Sequence, residues 1–218
     1  MTERPERQKP SKPGREQQRD QLLQAALIHI PFEGWSRRAL FQGAADINMD
    51  ISTAKRLFPR GADDLLAHLD VWADRQLVAG IDQQSLDKMR VRERIAKLVK
   101  TRLSLLSPHR EAIRRAVAAR LLPTNAVGAS TALWRSMDLI WTMAGDQTTD
   151  SSYYTKRGLL LAVWTTTFFY WLEDHSVGLR DSWTFLDRRI DNVMQFGKVR
   201  AQIEGLFSGL GRFNPLKT

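Results

Sequence analysis

Apolar residues recur along this chain at three- and four-residue intervals, and alternation with period two is hardly present; that pattern predicts helices and no sheet. Asp20 reads as the N-cap of a first helix that turns Leu22, Leu23, Ala26, Leu27 and Ile30 inward and ends at Pro31. After a turn at Phe32 and Gly34, Ser36 caps a second helix over residues 37–45. A third, short helix is predicted over residues 52–58, broken by Pro59 and Gly61. Asp63 and Asp64 open a longer one with Leu65, Leu66, Leu69, Trp72 and Ala73 inward. Residues 74–88 read as a loose polar stretch. Further helices follow over residues 90–106, 110–121 (after Pro108) and 131–144. The fold class expected from this is all-α.

The stretch on which the later half turns is residues 158–172, fifteen residues without a charge. A helix apolar nearly all round belongs at the centre of a bundle, and this one is shorter than the roughly 20 apolar residues a membrane span needs. Asp181 and Ser182 offer a cap for the next helix, on which Trp183, Leu186, Ile190 and Val193 share a face. The expectation is that this pair walls an apolar cavity for a lipid. Its lining residues would be Trp141, Leu160, Leu161, Trp164, Phe168, Trp183 and Leu186, the rings each burying about 150–250 Å². The competing reading of each ring is ordinary core packing.

Charge changes the picture in one respect. The net charge is +9, and it is unevenly spread: residues 88–120 hold eleven Lys/Arg against Glu93 and Glu111. Such a field could meet nucleic acid, anionic lipid or an acidic surface, or could be a solvated helix face. Residues 1–18, rich in Pro, Lys and Arg, are expected to be disordered. With no apolar core in residues 1–19, and with Glu3, Glu6 and Glu16 there, neither a signal peptide nor a transit peptide is expected. The location expected is the bacterial cytoplasm, peripheral to the inner membrane.

The last segment, residues 198–213, is amphipathic: Val199, Ile203, Leu206, Phe207, Leu210 and Phe213 lie on one side. Gly197, Gly205, Gly209 and Gly211 weaken it as a helix by about 1 kcal/mol each. That combination suits a membrane surface, with packing on the bundle or on a dimer partner as the alternative.

Chemistry is thinly represented. There is no cysteine, and His29, His68, His109 and His175 are scattered. No HExxH, GxSxG or P-loop occurs. No catalytic residue, metal or cofactor is expected, and the chain reads as a non-enzyme.

Two resemblances follow from these residues. The order of helix, Gly34-Trp35 turn, helix, short helix and Phe58-Pro59 break over residues 20–75 resembles the N-terminal half of TetR-type regulators, in which Ser52, Thr53, Lys55 and Arg56 would face DNA. Two cations are few for phosphate contact, and Asp46 and Asp50 precede the helix. The second resemblance is more specific. LPTN at 122–125, LWRSMDLIW at 133–141, GD at 145–146, YTKR at 154–157, YWLED at 170–174 and WTFLDRRIDNVM at 183–194, with PFEGWSRRAL at 31–40 and FPRGADDLL at 58–66, resemble the coenzyme Q (ubiquinone) biosynthesis accessory family, Coq-nine. That resemblance implies a TetR-like helical bundle that has given up DNA binding, a lipid pocket, a membrane-facing end helix and a homodimer. It implies binding of polyprenyl (isoprenoid) quinone intermediates and their presentation to the di-iron demethoxyubiquinone hydroxylase. Tyr153, Tyr154 and Arg157 are the expected hydroxylase-facing patch; the family commonly shows Asn-Trp-Tyr where this chain has Ser152, Tyr153 and Tyr154. The division expected is a tail at 1–19, a helix-turn-helix unit at 20–60, a ligand-binding domain at 61–196 and a membrane-facing segment at 197–218. The alternative is a TetR-type transcriptional regulator with an apolar effector pocket.

Overall fold

The structure, a computed structural model, describes residues 14–121, 123–148 and 152–194. Among the described residues there is no strand. The helices are α1 (Arg15–Glu33), α2 (Arg37–Asp46), α3 (Ile51–Leu57), α4 (Ala62–Gly80), α5 (Gln83–Asp87), α6 (Val91–Leu106), α7 (Arg110–Arg120), α8 (Pro123–Met143) and α9 (Ser152–Glu173), then α10 over residues 180–194. They form two compact units. The first takes the chain up to Trp72 together with Glu111–Gly128; the second takes Ala73–Arg110 and the chain from Ala129 on.

In the first unit, α1 starts well before the expected cap. Asp20 lies inside the helix, and its carboxylate accepts a hydrogen bond from Nε2 of buried His68 at 2.8 Å. Pro31 forfeits one helical hydrogen bond without ending the helix. Gly34 ends it, at φ +65°, with its N–H on the Ile30 carbonyl. The Ser36 hydroxyl accepts from the Ala39 N–H at 3.2 Å and caps α2 as its sequence suggests. Gly43 then lets α2 press on α1: a Cβ there would stand 2.5 Å from the Ala26 nitrogen. The cap of α3 is Asp50, which accepts from the Ser52 and Thr53 N–H groups and from the Ser52 hydroxyl.

In the second unit, the stretch expected to be loose is mostly helical. Leu77 and Leu86, both fully buried, anchor it at two points. Asp82 caps α5, accepting from the Gln84 N–H and the Ser85 hydroxyl. Helix α8 starts at Pro123 rather than near 131. Proline suits the first helical position, and Gly128, at about 1 kcal/mol, is too small a cost to break the helix. The uncharged stretch of α9, residues 158–172, is not buried all round. Leu160, Val163, Trp164, Thr167, Trp171 and Leu172 are inward, while Ala162, Thr166 and Phe169 form an exposed stripe. The Thr166 hydroxyl returns to the Ala162 carbonyl at 2.8 Å, which satisfies it on an otherwise apolar strip.

Candidate functional site

In the second unit three helices each turn an aliphatic stripe toward one void of about 580 Å³. From α6 come Val91 and Ile95; from α9, Leu159, Leu160 and Val163; from α10, Ile190 and Val193. The i, i+3, i+4 spacing on each helix puts these groups on one face. Trp141 of α8 closes a side, and its indole N–H donates to the Lys156 carbonyl at 2.9 Å.

One corner is polar. Gly145, at φ +91°, lets the chain turn tightly after α8 and sets Asp146 against α9. The Asp146 carboxylate accepts from Lys156 Nζ at 2.6 Å, from Arg157 Nη1 at 3.1 Å and from the Thr148 hydroxyl at 2.9 Å. Burial pushes its pKa up; those three donors outweigh it and hold the carboxyl below the usual carboxylate range. Arg157 donates from Nε to Asp138 at 2.6 Å. Burial pulls its pKa down, and Asp138 and Asp146 more than restore it. The Tyr153 hydroxyl also donates to Asp138, at 2.9 Å, and that bond, with burial, raises the phenol's pKa.

The structure divides the expected lipid-lining residues. Trp141 and Leu160 border the void. Leu161, Trp164, Phe168, Trp183 and Leu186 are not among its lining residues. Trp164 and Phe168 stack at 6.2 Å with Trp171 beyond them, Arg102 lies 4.8 Å over Trp164, and Leu186 is fully buried. Trp183 donates to the Gly178 carbonyl and faces Lys100. The aliphatic lining of α6 and α10 was visible as stripes in the sequence, but the weight there fell on rings. Rings fill volume; the space left open is bounded by the smaller side chains.

Of the expected partner patch, Tyr154 is 69% exposed and stacks on Trp134 at 6.4 Å, with Tyr153 edge-on at 5.1 Å. Arg157 is 3% exposed and held by the two aspartates. The expected membrane-facing residues Val199, Ile203, Leu206, Phe207, Leu210 and Phe213 lie outside the described residues. Of the tail expected to be disordered over residues 1–18, residues 15–18 instead form the first turn of α1, which continues into the apolar run from Leu22, and residues 1–13 lie outside the described residues.

Elsewhere the chemistry is occupied with structure. Among the described residues no three His, Cys, Asp or Glu side chains gather as a metal site. Burial lowers the pKa of His68, against the pull of Asp20, and of His109. On α3, Arg56 donates to Ser52 at 3.2 Å and to Thr53 at 2.7 Å, and Lys55 lies 5.6 Å from the Phe41 ring. Ser52, Lys55 and Arg56 stay exposed and Thr53 half-exposed, with these contacts made within the first unit.

Comparison with known proteins gives three findings. The COQ9 family profile matches residues 126–197. The human protein named "Ubiquinone biosynthesis protein COQ9, mitochondrial" is 30% identical over 89% of this chain and 64% of its own length. The Xenopus laevis protein named "Ubiquinone biosynthesis protein COQ9-B, mitochondrial" is 31% identical over 89% of this chain and 70% of its own. The chain thus spans under two thirds of the human relative's length. Among solved structures, a TetR transcriptional regulator from Nitrosomonas europaea ATCC 19718 matches with a TM-score of 0.69 at 21% identity, over 82% of this chain and 98% of that one; this likeness establishes the TetR-like all-α fold. The expected bacterial cytoplasmic location does not stand. The human, rat, cattle and Dictyostelium relatives are all named as mitochondrial proteins, and none points to a bacterial cytoplasm. The expectation rested on a missing leader pattern, and a missing leader selects no compartment.

Proposed function

Because the chain belongs to the COQ9 family, we propose that it is a non-enzymatic accessory protein of ubiquinone biosynthesis that holds an isoprenoid quinone intermediate in the cavity between α6, α8, α9 and α10. The observation that carries this reading is the void of about 580 Å³ with aliphatic walls, a volume within the ~300–1,000 Å³ of small-molecule sites. An isoprenoid tail has almost all its affinity in such apolar contact, at about 25 cal/mol per Å² removed from water. The Tyr153–Tyr154 surface on α9 is the docking face for the di-iron hydroxylase that receives the intermediate. Residues 197–213 are the membrane contact.

The test is mass spectrometry of lipid extracted from the purified full-length chain. An isoprenoid quinone or its precursor, recovered near one per protein, is the expected result. Recovery of phospholipid alone would remove the quinone assignment and leave general lipid binding.

A further inference from the structure

The cavity has two chemically different ends. Its aliphatic walls offer no hydrogen bond, and among the described residues the charged side chains that border it are Arg92, Asp146 and Lys156. Arg92 is paired with Asp191 at the rim, Nη2 to carboxylate, at 2.8 Å. The Asp146 carboxylate is turned to Lys156, Arg157 and Thr148. Lys156 differs. An ammonium has three protons. One goes to Asp146 at 2.6 Å and one to Thr148 at 3.3 Å, which leaves the third without a hydrogen-bond acceptor among the described residues, on a head group one-third exposed at the cavity wall and 5.8 Å from the Trp141 ring.

Among the described residues the charge around that proton is balanced. Lys156 and Arg157 face Asp146 and Asp138, and Arg92 faces Asp191. An anionic head placed there would meet Asp146 beside Lys156 and gain little net attraction. A neutral oxygen acceptor would take the third proton of Lys156 at no such cost and would receive a charge-assisted bond.

Resting on the lipid-cavity reading above, we propose that Lys156, oriented by Asp146, is the specificity-determining donor for a neutral carbonyl- or hydroxyl-bearing ring. The ring lies in the polar corner and the tail runs along Val163, Ile95 and Ile190. The site then selects prenylated quinones and phenols over phosphate-headed lipids.

The test uses the full chain and calorimetric titration with three probes: a short prenylated benzoquinone, the same tail on a plain benzene ring, and a short-chain phosphatidic acid. Lys156→Met keeps the apolar stem and removes the donor. It should weaken quinone binding by about tenfold, the loss of one hydrogen bond to a charged group, and leave the hydrocarbon probe unchanged, which also shows that the variant is folded. Equal quinone affinity in Lys156→Met and wild type overturns the proposal. So does wild-type binding of phosphatidic acid as tight as that of the quinone, whatever the variant does. Leu159→Trp fills the void and should abolish binding of all three probes; unchanged binding there overturns the cavity reading itself.

Discussion

Asp174 holds the turn between α9 and α10 together. Its carboxylate accepts from the Ser176 N–H at 2.7 Å, from the Ser182 N–H at 2.9 Å and from the Ser182 hydroxyl, while its carbonyl accepts from Arg110. Burial pushes the carboxyl's pKa up, and the bonds from Ser176 and Ser182 overcome this and hold it far below its ordinary 3.8. Asp174→Ala should therefore cost about 1–2 kcal/mol, the range for a lost helix cap, read by urea denaturation at pH 7. The folded carboxyl binds a proton less readily than the unfolded one, so its contribution is full above about pH 4 and is lost as the pH falls. The difference between wild type and variant should narrow below about pH 4; a difference that stays constant to pH 2 would contradict this account. The sequence suggested Asp181 and Ser182 as the cap of α10. The cap is Asp174, with Ser176 accepting from the Asp181 N–H, because the six-residue turn over 174–179 folds back on itself and spacing along the chain does not show that return. The Asp146–Lys156–Arg157 corner was hidden for the same reason. Its members sit ten residues apart across a loop, and the bond that joins them needs the left-handed Gly145.

At the scale of elements, the helices were legible from periodicity, and their ends less so. Pro31 reads as a stop, yet one missing N–H in a last turn is tolerable. Residues 74–88 read as polar because only Leu77 and Leu86 anchor them. The exposed stripe of α9 was missed because threonines and aromatic rings carry no charge to mark it. The α1–α2 pairing offers a sharper test of packing. Gly43→Ala adds a methyl where the Ala26 backbone stands 2.5 Å away. Alanine gains about 1 kcal/mol in helix propensity, and overpacking costs about 1–3 kcal/mol. The net should be a loss of up to about 2 kcal/mol, seen as a lowered Tm; a Tm equal to or above wild type would show that α1 and α2 yield easily.

For the whole molecule, with a net charge of +9, much of the positive charge over residues 88–120 is paired rather than bare. In the second unit Arg92 pairs with Asp191, Lys100 with Asp187 and Arg102 with Asp74, and Arg94 donates to three carbonyls. In the first unit Arg115 pairs with Glu111 and Arg120 with Asp70. For these residues the pairing accords with a solvated, paired helix face. The membrane contact proposed for residues 197–213 can be tested by itself. A chain stopped at Phe196 should lose flotation with anionic liposomes. The di-iron hydroxylase should co-float with the full chain and not with Tyr154→Ala, although that variant itself still floats. Undiminished flotation of the shortened chain, or co-flotation with Tyr154→Ala, would refute the respective contact.

The border of the void includes Val91 and Met194, each nearly half exposed. Neither side chain makes a hydrogen bond, so neither must break one to move aside. On the proposed lipid reading, a guest leaving past them would meet no latch among the described residues; what would retain it is the unfavourable wetting of its own hydrocarbon. That retention vanishes when another greasy surface, a bilayer or an enzyme's mouth, is pressed against the opening. Release of the proposed guest would then be triggered by encounter, and the same passivity that makes the berth slow to empty into water would make it quick to unload on arrival.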